Sequence, residues 1–126
     1  MQEAEADAAP FLRSALGHAC DRDTLTRHLN DYLDIRRFKD AAYNGLQVSG
    51  KSTVSYVVAG VTANKALIDA AIGVGADAIL VHHGLFWKGD DPRLVGYHRE
   101  RVASLLAANI SLYAYHLPLD VHSEVG

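Results

Sequence analysis

The stretch of sequence that decides the fold is GVTANKALIDAAIGVGADAILVHHG, residues 60–84. Its middle part has apolar residues at helical spacing, namely Ala66, Leu67, Ala70, Ala71 and Val74. Thr62 is a candidate N-cap for this helix, and Gly73 and Gly75 predict its end. The run AILV at 78–81 is apolar throughout, which is typical of a strand covered on both faces. The segment therefore predicts a helix that leads into a buried strand.

Similar elements lie on both sides of this segment. Residues 54–59 (VSYVVA) and 110–115 (ISLYAY) are rich in β-branched and aromatic residues and have the length of strands. Residues 97–108 predict a helix that stops at Asn109. The order is β-α-β-α-β, and right-handed crossovers make the three strands parallel. The predicted fold class is α/β, with a βαβαβ core and a mainly parallel sheet flanked by helices.

The part of the chain before this core predicts helices and turns. Residues 1–9 predict a frayed tail, and residues 10–19 predict a first helix. A second helix begins near Asp23, with Asp21, Asp23 or Thr24 as its cap. Residues 40–52 (DAAYNGLQVSGKS) have turn chemistry, in which Asp40 and Asn44 shape the loop. We expect a partly helical extension over 1–22 and an α/β part over 23–126.

Composition narrows the class of protein. The 126 residues are 49% hydrophobic and 21% charged, which excludes a disordered chain. The net charge of −3 gives no strong nucleic-acid signal, and the basic group Arg36, Arg37 and Lys39 stands beside acidic residues as a solvated surface. Cys20 is the single cysteine, so an internal disulfide and an all-cysteine zinc site are excluded. No signal peptide or membrane span is recognisable, and we expect a cytoplasmic protein.

Residues with metal-binding side chains follow two of the predicted strands. In an open parallel sheet, ligands bind beyond the carboxyl ends of the strands. One strand ends at His82-His83 and another at His116, with Asp120 four residues later. Imidazole and carboxylate groups suit Zn, Fe, Mn or Co. Gly84 allows the chain to turn so that both adjacent rings reach one cavity, and Pro118 predicts an extended loop rather than a helix before Asp120.

Other interpretations of these residues remain open. A histidine in a core is often structural, whereas two adjacent histidines and a bridging carboxylate suit two ions about 4 Å apart. His98 is not expected to take part in function, and the role of His122 is ambiguous. Phe86 and Trp87 form either a wall or an oligomer contact. Residues 60–65 lack the spacing of a P-loop and predict an ordinary strand-to-helix turn rather than a phosphate site.

Three blocks of the chain resemble one known family. DAAYNGLQVSGK (40–51), residues 60–89 with HHGLFWKG, and residues 109–126 with HLPLD are similar to the Nif-three-like dinuclear metal-centre proteins, or GTP cyclohydrolase I type-two homologues. The resemblance implies toroidal homohexamers with two divalent ions per site. It implies that His82 and His83 are metal ligands and that Asp120 is the bridging carboxylate. His116 corresponds to a histidine beside the centre, as a ligand, a support for a ligand or a proton carrier, and is the candidate catalytic residue.

The implied chemistry is attack by metal-activated water on a nucleotide or another small molecule, with opening of a base ring as one outcome. The resemblance covers only the N-terminal half of the family's length. In the family a His-x-x-x-Glu pair from the second half completes the site, and this sequence contains no such pair. We therefore expect about half of a metal site. The hypotheses are a metal-dependent hydrolase, a non-catalytic metal-binding or interaction module, and a truncated inactive fragment.

Overall fold

The computed structural model describes residues 19–122, so the predicted tail and residues 10–18 of the first predicted helix lie outside the described residues. The elements in chain order are β1 (Cys20–Asp21), α1 (Arg22–Tyr32), a 3₁₀ turn (Ile35–Arg37), β2 (Gly45–Val48), β3 (Thr53–Val54), β4 (Val57–Ala59), α2 (Lys65–Gly73), β5 (Ala78–Val81), α3 (Gly96–Ala107), β6 (Ser111–Ala114) and α4 (Leu117–Asp120). The division into parts at residue 22 stays a prediction. No helix within 19–122 is long and apolar enough to cross a membrane.

The main sheet has four strands in the order β2-β6-β5-β4. Strands β4, β5 and β6 are parallel, as predicted, with Ala78 paired to Val57 on one side and to Ser111 on the other. Strand β2 is antiparallel to β6 and pairs Gly45 with Ala114. The prediction that residues 40–52 form turns was therefore wrong for 45–48. This short strand is stabilised by a partner far along the chain, which local turn chemistry does not reveal.

Helices cover both faces of the sheet, which confirms the α/β class. Alternate residues of each strand point to opposite faces. On one face Ile79 and Leu112 pack beneath α2 and α3, whose buried residues include Leu67 and Leu105. On the other face the buried set is formed by α1, the strands and the chain that follows them, namely Leu25, Leu33, Val54, Val57, Ala78, Tyr113 and Tyr115. The core therefore has two parts, one on each face of the sheet.

The helix ends confirm one predicted cap and correct another. Of the three candidate caps for α1, Asp21 is the one used, and its side chain accepts the Asp23 and Thr24 N–H groups at 3.1 Å. The predicted cap Thr62 of α2 was wrong, because Thr62 pairs with His83 in a parallel bridge. The N-cap is Asn64, whose Oδ1 accepts the N–H of Leu67 at 2.9 Å.

The segment after β6 also differs from the prediction. Residues 116–120 were expected to form an extended loop, yet Leu117–Asp120 forms one helical turn. Pro118 lies in the first turn, where a missing N–H removes no intrahelical hydrogen bond. The basic group Arg36, Arg37 and Lys39 is exposed, as predicted, whereas Asp40 beside it is buried.

Candidate metal centre

The carboxyl ends of β5 and β6 meet at one edge of the sheet and bring three histidines together. The N–H groups of His82 and His83 both donate to the carbonyl of Val61, at 3.1 and 2.8 Å. The backbone leaves the strand pleat directly after Val81, so the two rings do not lie on opposite faces. Their centroids are 4.4 Å apart. The structure therefore places both rings in one cluster, as expected from the turn at this strand end.

His116 joins this pair from the end of β6. Its ring centroid lies 4.7 Å from that of His82 and 5.6 Å from that of His83. Each of the three residues offers a ring nitrogen, and these nitrogen atoms lie within 4.8 Å of one another. All three side chains are half-buried. Three half-buried nitrogen donors at this separation form a group that could hold a metal ion.

Asp120 reaches this histidine cluster through His82. The single turn of α4 is closed by a hydrogen bond from the Asp120 N–H to the carbonyl of His116 at 3.2 Å. The Oδ1 atom of Asp120 lies 2.9 Å from Nε2 of His82. This contact does not have the geometry of a hydrogen bond, and the buried Nε2 atom has no hydrogen-bond partner among residues 19–122. A buried nitrogen without a partner, facing a carboxylate, fits a metal-binding donor set.

Asp40 is the residue of this site that the sequence prediction missed. Its side chain is 2% exposed, and its Oδ1 lies 3.0 Å from Nδ1 of His116. Oδ1 also accepts the N–H of Ala42 at 3.1 Å, while Oδ2 accepts the N–H of Leu117 at 2.8 Å and Nδ2 of Asn44 at 3.1 Å. Burial opposes ionisation, but the four hydrogen bonds hold the pKa of Asp40 well below its usual value. Asp40 is therefore a buried carboxylate.

Part of this arrangement has a signal in the sequence. Asp40 and Asn44 were expected to shape a turn, and the bond from the Ala42 N–H to Asp40 confirms that role. The contact with His116 spans 76 positions along the chain, so no local pattern indicates it. Asp40 and Asn44 do belong to the first of the three blocks on which the family resemblance rests.

The environment of His83 favours its neutral form. Its Nδ1 lies 3.3 Å from Oγ1 of Thr62. Burial, and then the neighbouring His82 and His116, lower the pKa of His83 below its usual value, although Asp120 acts in the opposite direction. A neutral imidazole is the form that binds a metal ion.

Trp87 forms a wall beside the histidine cluster. Its ring lies 5.1 Å from that of His116 in an edge-on arrangement and 6.0 Å from that of His83. Phe86 instead contacts His98, with ring centroids 4.9 Å apart. The sequence predicted either a wall or an oligomer contact for this aromatic pair, and the position of Trp87 fits a wall.

His98 and His122, which the sequence analysis considered, lie outside the cluster. The Nε2 atom of His98 is buried and has no hydrogen-bond partner among residues 19–122, and its ring packs against Phe86. His122, which the sequence left ambiguous, contacts Tyr32, with Nε2 lying 3.2 Å from the Tyr32 carbonyl oxygen. Neither belongs to the group of ring nitrogens that could share an ion.

Gln47 of β2 holds the loop that follows the histidine pair. Its Oε1 accepts the N–H groups of Leu85 and Phe86 at 2.9 and 3.3 Å. Its Nε2 donates to the carbonyls of Tyr43 and Phe86 at 2.9 and 3.2 Å. The sequence prediction missed this role because it did not identify β2.

Fold and site together define an α/β protein with a histidine-rich candidate metal centre at the carboxyl edge of a parallel sheet. The model of the family described as Duf34/NIF3 (NGG1p interacting factor 3) matches residues 20–126. The chain belongs to this family, and the resemblance identified from its three sequence blocks is confirmed.

Similar proteins extend well beyond the length of this chain. A "GTP cyclohydrolase 1 type 2 homolog" of Allochromatium vinosum is 56% identical over 102 residues, which are 81% of this chain and 40% of that protein. A protein of the same name from Pseudomonas aeruginosa is 53% identical over 103 residues. The crystal structure of TTHA1606 from Thermus thermophilus matches with a TM-score of 0.82 and 49% identity, covering 85% of this chain and 44% of that chain. The chain thus spans about two fifths of the length of these curated relatives.

Proposed function

We propose that this chain contributes His82, His83 and Asp120 to a divalent-metal centre and that the centre serves a hydrolase of the GTP cyclohydrolase type. The observation that carries the proposal is the cluster of His82 and His83 with His116, together with the buried Nε2 of His82, which faces Asp120 without a hydrogen bond. Buried polar atoms in native proteins normally have partners, so an unpartnered nitrogen inside a donor cluster supports a bound cation.

The donor set limits which ions fit. Imidazole nitrogen and carboxylate oxygen suit Zn, Fe, Mn and Co, and the lowered pKa of His83 keeps its lone pair available at neutral pH. The side chain of Asp120 is 49% exposed, so a carboxylate there reaches the open side of the cluster. Its position beside His82 supports the bridging role that the family resemblance implies.

Two side chains of this chain would act on the substrate, one by transferring a proton and the other by contacting it. A divalent ion, when bound, supplies a water of lowered pKa as a nucleophile at neutral pH. His116 is the proposed catalytic residue: its ring lies within the cluster, and it would carry a proton between water and substrate. Trp87 beside it offers a flat apolar wall for part of the substrate. The names of the relatives support a nucleotide such as GTP as the substrate.

A non-catalytic metal-binding or interaction module is the second candidate. Asp120 and the three histidines provide four side chains, whereas two tetrahedral ions need more protein ligands than that. Weak metal affinity without turnover would favour this candidate, and absence of both would favour an inactive fragment.

Metal content tests the proposed centre. The 126-residue chain is loaded with excess Zn²⁺, Mn²⁺ or Co²⁺, desalted and measured by plasma mass spectrometry, alongside His82→Ala and Asp120→Ala. We expect lower metal content in both variants. His28→Ala is the matched control, because His28 is exposed and stacks on Tyr32 outside the cluster, and it should bind as much metal as the parent. Equal metal content in all four proteins would refute the centre.

Turnover separates the two candidate functions. The loaded chain and His116→Ala are incubated with GTP and with simple phosphoesters, and products are followed by chromatography. Product formation that is lost in His116→Ala while metal content is retained supports a hydrolase. Metal binding without product in the parent supports the non-catalytic module.

We also propose that the chain forms homo-oligomers, with a hexamer as the state that the resemblance implies. The supporting observation is a run of exposed apolar side chains before and at the start of α3, where Leu94, Val95 and Tyr97 are 50%, 63% and 71% exposed. Neighbouring apolar residues in a soluble protein often mark an interface. Light scattering at high protein concentration tests this, and a monodisperse monomer would contradict it.

A further inference from the structure

Two carboxylates are buried in the described part of the chain, and they lie at opposite ends of the sheet. Asp77 precedes β5 and is bonded to Lys51, Ser55 and Tyr56, so its hydrogen bonds tie together backbone segments. Asp40 stands at the other end, and one of its partners is the imidazole of His116. Asp40 therefore acts on a side chain of the candidate centre, whereas Asp77 does not.

The partners of Asp40 decide which ring nitrogen of His116 carries the proton. The backbone N–H of Ala42 donates to Oδ1 and that of Leu117 to Oδ2, and a backbone N–H can only donate. The Asn44 side chain accepts the His116 N–H at 2.7 Å through Oδ1, so its Nδ2 donates to Asp40. With Asp40 ionised, all its partners are donors, and Nδ1 of His116 is one of them.

This proton position fixes the chemistry of the ring. A neutral imidazole carries one N–H, so a proton on Nδ1 leaves the lone pair on Nε2. Histidines that bind metals or transfer protons commonly donate their second ring nitrogen to a carboxylate, which fixes both tautomer and ring orientation. The loop with Asp40 and Asn44 supplies such an acceptor, and it also binds the backbone N–H groups of His116 and Leu117.

We propose that Asp40 is a positioning residue that acts through His116, holding its ring in the Nδ1–H tautomer so that the Nε2 lone pair serves the centre. The functional part of this inference rests on the role proposed for His116, whereas the tautomer itself does not depend on a metal. A measurement on the metal-free chain therefore tests the inference separately from the proposed function.

The experiment is ¹⁵N NMR of the histidine rings in the metal-free 126-residue chain, at a pH well above the ordinary imidazole pKa of about 6.5. His116→Gln identifies the His116 signals by their loss. In the parent we expect a protonated Nδ1 and an unprotonated Nε2 on His116. A protonated Nε2 on His116 in the parent, or an even mixture of the two tautomers, would overturn the proposal.

Asp40→Asn provides the sharper comparison. Besides His116, one donor faces the Oδ1 position, the Ala42 N–H at 3.1 Å, whereas two face the Oδ2 position, the Leu117 N–H at 2.8 Å and Nδ2 of Asn44 at 3.1 Å. The amide oxygen is therefore expected at the Oδ2 position, where it satisfies more donors. Its NH₂ group then faces Nδ1 of His116 and donates to it, which moves the ring proton to Nε2. The shifts of the two ring nitrogens should exchange between parent and variant, and an unchanged pattern in a folded variant would contradict the proposal.

Asp77→Asn is the matched control for this comparison. This substitution removes the charge of the other buried carboxylate. Asp77 likewise accepts several hydrogen bonds, but none of them comes from a histidine. We expect a loss of stability in both variants and a change of the His116 tautomer only in Asp40→Asn. A tautomer change in both would show that general destabilisation, rather than Asp40, sets the proton position.

Discussion

Gly84 lies directly against Gln47, and a Cβ atom on Gly84 would stand only 2.3 Å from Oε1 of Gln47. The same Cβ would lie 2.6 Å from the Cβ of Ala114 in β6. The chain that follows His82 and His83 therefore passes closely over the sheet, and Gln47 bonds the next two N–H groups. Gly84 is required here for lack of space rather than for an unusual φ, because any side chain would push the loop away from β2.

Gly84→Ala should therefore loosen the loop that carries the histidine pair. We expect a loss of about 1–3 kcal/mol in the free energy of unfolding, as for other overpacked sites, measured by urea denaturation. Metal content of the loaded variant should fall as well, because His83 is the adjacent residue. Gly73→Ala is the control: a Cβ there meets nothing within 4 Å, so no loss is expected. Parent-like unfolding of Gly84→Ala would show that Gln47 moves aside at no cost.

Gln47→Glu tests whether the side-chain amide of Gln47 is needed both as an acceptor and as a donor. The variant keeps an acceptor for the Leu85 and Phe86 N–H groups, but at neutral pH it places a second oxygen against the carbonyls of Tyr43 and Phe86. We expect a loss of about 1–3 kcal/mol in stability. Protonation near the ordinary glutamate pKa of about 4.3 restores a donor, so the loss should shrink as pH falls. Urea titrations of parent and variant at neutral pH and below the glutamate pKa measure this change. A stability difference that is the same at the two pH values would contradict the prediction.

The parts of the fold that the sequence predicts well are those with local signals. The run at 78–81 coincides with β5, and Gly75, with φ of 74°, follows the end of α2 as expected. The sequence prediction missed β2 because its pairing partner lies far along the chain. It missed the single turn of α4 because a proline such as Pro118 normally interrupts a helix, except in the first turn. The three histidines were predictable from strand ends, whereas Asp40 depends on a contact across 76 positions.

The hydroxyl of Tyr115 is a buried anchor between the sheet and α1. The residue is fully buried, and its hydroxyl donates to Oδ1 of Asn30 at 2.7 Å. Burial, with the nearby Tyr113, raises the pKa of Tyr115, so the hydroxyl keeps its proton. Tyr115→Phe should cost about 1 kcal/mol in unfolding free energy because Asn30 loses this donor. Tyr43→Phe, at a residue that is 53% exposed, is the control and should change little; equal effects would show that the buried bond adds nothing.

Asp77 links stability to pH at the end of the sheet remote from the histidines. Burial opposes its ionisation, but hydrogen bonds from Lys51, Ser55 and Tyr56 outweigh burial and lower the pKa of Asp77. Nζ of Lys51 lies 2.7 Å from its Oδ1, and the N–H of Ser55 lies 2.8 Å from its Oδ2. Because the pKa is lower in the folded state, the contribution is complete above the unfolded value of about 3.9 and is lost as pH falls through the folded value.

Asp77→Asn should therefore be less stable than the parent at neutral pH, by about 1–3 kcal/mol, since the amide cannot replace every bond of the carboxylate. The difference should stay constant down to about pH 5 and shrink below about pH 4, where the parent also loses its charge. Subtracting the two urea titrations at each pH cancels the other acidic groups, including Asp40. Asp69→Asn, in an exposed pair with Lys65, is the control and should change the stability little at neutral pH. A difference that persists unchanged at low pH would mean that the shape of Asp77, and not its charge, stabilises this end of the sheet.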